Sequence, residues 1–166
     1  PMTKTDLPIS TRSALRTLQL ERAGIAAIED ALQGPASGLA AQFDAAVALI
    51  TRATGRVIVT GMGKSGIVGK KVAATLSSTG TPAFFVHPGE AFHGDLGMLR
   101  RGDVALMISN SGETEELIRV IPFLEEQEMP IVALTAREGS SLARHAQAAP
   151  PPTEAASAQR QTLKSA

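Results

Sequence analysis

The chain has no cysteine, tryptophan or tyrosine among its 166 residues. Without cysteine there are no disulfides, no thiolate metal sites and no cysteine nucleophile. Five phenylalanines are all that remain of the large aromatics, too few for platforms that stack single-stranded nucleic acid or exposed sugar rings. A sugar bound here would be held by hydrogen bonds and charge. Sixteen basic and sixteen acidic side chains cancel, so no global field attracts nucleic acid or an anionic membrane. That balance leaves room for a local anion site. No stretch approaches the roughly 20 apolar residues of a membrane span. Nor does Pro1 to Arg22 hold an apolar run long enough for a signal peptide. The expectation is a cytoplasmic protein with neither nucleic-acid nor membrane partners.

What is present fits one globular domain with a single sizeable core. From Thr11 to Leu32 the apolar residues Leu15, Leu18, Ile25, Ile28 and Leu32 recur at helical spacing. Gly34-Pro35 breaks that helix, and a second is predicted over Leu39–Arg52, with Phe43, Val47 and Ile50 on one side. The period then changes. Strands are predicted at Arg56–Thr60, Ala83–Val86, Asp103–Ser109 and Pro130–Thr135. Helical patterns at Gly66–Ser78, Glu113–Glu128 and Ser140–Ala146 alternate with them. This order predicts an α/β fold of three αβα layers around a central, mainly parallel sheet. A ligand should then sit beyond the carboxyl ends of the strands. Residues 1–147 read as the domain, with N-terminal helices in 11–53. Ala148-Ala149-Pro150-Pro151-Pro152 opens a tail, 148–166, expected to form neither helix nor sheet.

Two loops suit phosphate. Ser109-Asn110-Ser111-Gly112-Glu113-Thr114 follows a buried strand and enters a helix. Its hydroxyls, free backbone N–H groups and positive dipole end match a phosphate monoester. A plain helix cap is the alternative, because serine and threonine cap many helices. Glu113, Glu115 and Glu116 crowd the same start and would repel an anion. On a helical wheel Glu115 faces Arg119 at i+4, whereas Glu116 lies at the edge of the apolar stripe, between Val120 and Phe123. Glu116 is thus the better site candidate.

The second loop is Gly61-Met62-Gly63-Lys64-Ser65-Gly66. It satisfies G-x-G-x-x-G, but the acid that a dinucleotide site needs after the second strand is replaced by His87. It is no P-loop either, since Ile58 stands where the first glycine should be. What remains is a tight turn with exposed N–H groups and one lysine. Lys64 either neutralises a phosphate or oxyanion, or is a solvated loop residue. His87 and His93, with Glu90 and Asp95, raise a metal reading without helical ligand spacing to support it. His93-Gly94-Asp95 shaping the loop or meeting sugar hydroxyls is the competing reading, and no metal or cofactor is expected.

GMGKSG (61–66), STGTPAFFVHP (78–88), HGDLGM (93–98) and SNSGET (109–114), in that order, closely resemble the arabinose-5-phosphate isomerases. These are the KpsF/GutQ branch of the SIS (sugar isomerase) proteins. The resemblance covers about residues 10 to 146. It implies a SIS-type fold and reversible conversion of D-ribulose 5-phosphate to D-arabinose 5-phosphate, a precursor of the lipopolysaccharide sugar Kdo. It also implies a homodimer or homotetramer whose partner molecule is a phosphosugar. By the same resemblance Lys64 and Glu116 are catalytic, and Ser109, Ser111 and Thr114 hold phosphate, with Gly63, Ser65, His93 and Asn110 as further binding candidates. Family members often have a small residue where this chain has Phe92.

Beyond Gln147 the resemblance fades. The family's Glu-Ala-Cys-type motif, Thr-Ser-Ser-Thr-Thr helix start and Ser-His-Pro-Gly-Gly histidine have no clear counterpart, Glu154-Ala155 being a faint echo. The tandem CBS domains of many members have none. The resemblance therefore implies a chain truncated or altered at its C-terminus, keeping weak phosphosugar binding and little turnover. A non-catalytic module that binds or senses a phosphosugar is the rival reading, and a dehydrogenase a distant third.

Overall fold

A computed structural model describes residues 7–34 and 38–150. The expected tail therefore lies outside the described residues from position 151 onward.

The chain runs α1 (Ile9–Gln33), α2 (Leu39–Arg52), β1 (Val57–Gly61), α3 (Gly63–Ser78), β2 (Ala83–Val86), α4 (Pro88–Ala91), a 3-10 turn (Asp95–Met98), β3 (Val104–Ser109), α5 (Glu115–Glu126), β4 (Ile131–Thr135) and α6 (Ser141–His145). The four strands form one sheet in the order β2-β1-β3-β4, with every pair parallel. β1 and β3 are the central strands. They are buried almost throughout, as the apolar runs Val57–Val59 and Val104–Ile108 require of strands covered on both faces.

Alternation along each strand divides the core in two. Ile58, Ala105, Met107, Ile131 and Ala133 face α5, where Leu117, Val120, Ile121 and Leu124 meet them. Val57, Val59, Val104, Leu106 and Val132 face α2 and α3, through Ala46 and Ala73 with Leu49, Ile50, Val72 and Leu76. The result is a three-layer αβα fold.

Three local expectations are corrected. The stretch after β2, where no helix is predicted, forms the short α4. His87 makes this possible by accepting the Gly89 N–H on Nδ1, while Pro88 occupies the first helical position. The helix predicted from Glu113 begins at Glu115, because Gly112 to Thr114 stay in the loop. And the boundary set after Gln147 falls inside the fold. Ala148 is buried and bridges Val132 in parallel, and its carbonyl accepts the Ala133 N–H at 2.8 Å. An alanine can pair with a sheet edge whatever prolines follow, since the restriction they impose begins at Ala149.

α1 stands apart. None of its residues is buried, and its main contacts are with α2. Ile9, Leu18, Ile25 and Ile28 are exposed, together with Phe43 and Val47 of α2. The apolar stripe predicted on α2 through Phe43 and Val47 thus faces solvent in the single chain, and only Ile50 of that set joins the core. Among the described residues no helix is long and apolar enough to cross a membrane.

Candidate functional site

β1 and β3 are neighbours, so the segments leaving their carboxyl ends emerge side by side. After β1 the chain turns through Met62 alone, and α3 begins at once at Gly63 (φ 54°). The expected loop is therefore a helix start. Gly66 is needed for contact rather than for a ligand: a Cβ there would lie 2.6 Å from the Gly61 carbonyl oxygen. Lys64 is exposed and makes no side-chain hydrogen bond or ion pair among the described residues. Ser65, one residue on, is half-buried.

After β3 the serine loop folds on itself. Ser109, buried, shares a 2.8 Å hydrogen bond with Thr114 across the loop and accepts the Gly112 N–H at 3.1 Å. Gly112 has φ 65°, a conformation that costs glycine little. Its carbonyl accepts the Leu142 N–H at 3.0 Å. Ser111 is exposed and accepts the Glu113 N–H at 3.2 Å. Thr114 precedes α5 in extended conformation without closing a cap bond to it, so the first amides of α5 keep no side-chain cap.

Each of the three glutamates has a distinct place. Glu113 turns away to α6, where its Oε1 accepts the Ser141 N–H at 2.8 Å. That backbone bond, then the Ser141 side chain, outweigh desolvation, and with the charges of Arg144 and Arg137 they hold its carboxyl below the usual range. Glu115 pairs with Arg119 on the solvent side, as its spacing predicts. Glu116, half-buried, has no side-chain partner among the described residues.

A cleft of about 480 Å3 opens here, lined by Ser65, Ile108, Asn110 and Thr135 with Ile28 and Phe43 as an apolar wall. It joins residues from both loops. Of the predicted site residues Ser65 and Asn110 line it, whereas Gly63, Lys64, His93, Ser109, Ser111, Thr114 and Glu116 do not. His93 lies exposed on the turn after α4, beyond the end of β2. His87 is occupied as the cap of α4. Among the described residues no three His, Asp or Glu side chains are grouped to hold a metal ion. Residue-level reading of the sequence missed two parts of this cleft. Thr135 sits opposite Ser109 in the β3–β4 register, which a strand alignment would have indicated. Ile28 and Phe43 come from helices whose docking no local pattern reveals. A larger open cleft, about 770 Å3, lies at the opposite end of the strands around Arg56, Arg100, Arg101 and Asp103. It is at the amino ends of the strands, away from the serine loop, and the arginine at its centre is already paired.

Comparison with known proteins identifies the family and the fold. The SIS domain profile matches residues 48–163. Arabinose 5-phosphate isomerase KdsD of Pseudomonas aeruginosa is 46% identical over 135 residues, 81% of this chain and 39% of that protein. KdsD of Escherichia coli K12 is 58% identical over 92 residues, 55% of this chain and 28% of that protein. A protein of E. coli CFT073 solved in complex with arabinose 5-phosphate superposes with a TM-score of 0.74 at 36% identity, covering 89% of this chain and 77% of that one. This chain belongs to the SIS domain family, and its α/β fold is that of the phosphosugar isomerases. It spans about two-fifths of the length of the Pseudomonas relative.

Proposed function

We propose that this domain binds a pentose 5-phosphate and serves the interconversion of D-ribulose 5-phosphate and D-arabinose 5-phosphate. The observation that carries the reading is the cleft at the carboxyl ends of β1 and β3, lined by Ser65 from the α3 start and by Asn110 from the serine loop. The two acids nearest that loop are engaged elsewhere, Glu113 with α6 and Glu115 with Arg119. The uncapped start of α5 and the Ser111 hydroxyl supply donors for a phosphate. The relatives named above support the choice of sugar.

Aldose–ketose isomerisation moves a proton between C1 and C2 through an enediol. One group must take that proton and return it, and another must offset the charge that builds on the carbonyl oxygen. In the proposed scheme Ser109, Ser111, Thr114 and Asn110 hold the phosphate with Gly63 and Ser65. Glu116 handles the proton, Lys64 offsets the oxyanion, and His93 meets sugar hydroxyls. We further propose a homo-oligomer, because the exposed apolar face of α1 and α2 calls for cover, and, from the likeness to the KdsD relatives, a cytoplasmic protein whose product enters Kdo synthesis.

The test is to incubate the purified 166-residue chain with ribulose 5-phosphate and follow arabinose 5-phosphate, with parallel calorimetry. Turnover supports the isomerase. Binding without turnover, even at high enzyme, would place the chain with the sensing modules instead. No binding of either pentose phosphate would refute both.

A further inference from the structure

We propose that Glu113 is a positioning residue: its carboxylate fastens the serine loop to the start of α6 and carries its own charge away from the anion the loop receives. The inference rests on the phosphate-binding reading of that loop and goes further, to how the loop is held.

An acid inside a phosphate-binding segment is unfavourable unless something turns it aside. Here Glu113 stands between Ser111 and Thr114, yet its Oε1 accepts the backbone N–H of Ser141, 28 residues later, at 2.8 Å. Ser141 is the first residue of α6, and its amide is one of the donors that a helix start leaves without a partner. Ser140 satisfies only the Ala143 amide, at 3.3 Å. Glu113 therefore supplies from another element a capping acceptor that α6 does not supply itself, and an acid at that end suits the helix dipole.

Two backbone bonds also join the loop to the β4–α6 segment. The Leu142 N–H donates to the Gly112 carbonyl at 3.0 Å, and the Ala136 N–H to the Asn110 carbonyl at 3.2 Å. Ser140, buried, packs against Gly112 so closely that a Cβ on the glycine would meet its Oγ. Of these ties only Glu113's uses a side chain of the loop. It is thus the one that a substitution can cut without altering backbone conformation.

The test is calorimetry of the full chain with arabinose 5-phosphate, below the melting transition, with far-ultraviolet circular dichroism to confirm folding. Glu113→Ala should weaken binding about three- to tenfold, the effect of one charge-assisted hydrogen bond. Glu113→Gln keeps an acceptor oxygen and should recover most of the loss. Ser141→Pro removes the donor from the other side. Proline suits a first helical position, and Ser140 before it is already extended (φ −69°, ψ 159°). It should reproduce Glu113→Ala, whereas Ser141→Ala, which keeps the amide and removes only the hydroxyl that also reaches Glu113, should lose clearly less than either. Because both changes cut one bond, the double variant should bind no more weakly than either single one. Additive losses, or wild-type affinity in both Glu113→Ala and Ser141→Pro, would overturn the proposal. Ser111→Ala separates it from the reading beneath. If Ser111→Ala weakens binding and the Glu113 and Ser141 variants do not, only the positioning role fails. If wild type binds no phosphosugar, the phosphate reading itself fails, and the positioning role with it.

Discussion

Arg56 and Asp103 hold the starts of the two central strands together. The Arg56 guanidinium reaches Asp103 with Nη2 at 2.8 Å and Nε at 3.2 Å, and the backbone amides of Arg56 and Arg100 donate to the same carboxylate at 2.8 and 3.0 Å. Asp103 is buried, while the Arg56 side chain is 37% exposed and also lies over the Phe84 ring. Burial pushes the Asp103 carboxyl up. The bonds from the Arg56 side chain and from the two amides outweigh it and hold it below its usual range.

Asp103→Ala should therefore destabilise the fold by about 2–4 kcal/mol, since it leaves two amides without their acceptor and the guanidinium, which keeps only the Met98 carbonyl, without its charge partner. The pH dependence has a fixed sign. A carboxyl whose folded pKa lies below its unfolded value of about 3.9 stabilises above that value and loses its effect as pH falls through the folded one. The gap in Tm between wild type and Asp103→Asn should be largest near neutrality and shrink below about pH 4. Thermal melts across that range decide it, and a constant gap would contradict the assignment.

Gly112 should tolerate no side chain. Its φ is 65° and an added Cβ would run into the Ser140 side chain, so alanine would be both strained and overlapped. Gly112→Ala is expected to cost about 1–3 kcal/mol or more. Because the damage falls on the serine loop, phosphosugar binding should weaken in parallel. Calorimetry and denaturant titration on the same sample check both.

Local pattern made most of the framework legible, and the exceptions share one cause. The continuous apolar run of β3 marked a strand buried on both faces, and it is one. The i+4 relation of Glu115 to Arg119 named an ion pair that the fold contains. In contrast, Arg56 meets Asp103 across 47 positions and Glu113 meets Ser141 across 28, and no periodicity encodes such partners. α4 escaped notice because Pro88 and Gly89 read as a turn, while the His87 cap that makes a helix of them is a side-chain contact. The stripe on α1 was legible as amphipathic, but what it faces was not.

That stripe carries the next expectation. Leu18 and Ile25, one heptad apart, are 65% and 67% exposed. Burying an apolar side chain of this size is worth ~1.5–3 kcal/mol, so a second copy laid along α1 would gain considerably. The chain should sediment as a dimer or tetramer at micromolar concentration. Leu18→Glu with Ile25→Glu should shift it toward monomer with far-ultraviolet circular dichroism unchanged, because neither side chain belongs to the core. A wild-type chain that is monomeric throughout would leave this face without a role in assembly.

Glu116 offers the most direct test of the chemistry. Its two acidic neighbours are committed to Ser141 and Arg119, and it alone at the start of α5 has no side-chain partner among the described residues. If it moves the proton between C1 and C2, Glu116→Gln should lower turnover by ~100- to 10,000-fold, the usual scale for a positioned acid–base group. Binding should change little, because the phosphate anchors lie on the loop before it. Glu115→Gln is the matched control: it removes only an exposed i,i+4 pair, worth ~0.3–0.5 kcal/mol, and should leave catalysis alone. Exchange of the C2 proton of arabinose 5-phosphate with deuterated water, followed by NMR, reports proton abstraction even where net turnover is slow. Exchange lost in Glu116→Gln but kept in Glu115→Gln would assign the step to Glu116. Equal exchange in wild type and Glu116→Gln would show that another group abstracts the proton. Lys64→Ala tells the two roles apart. A lysine that offsets the oxyanion should, when removed, slow exchange and turnover together by about 100- to 1,000-fold, whereas a solvated lysine should change neither.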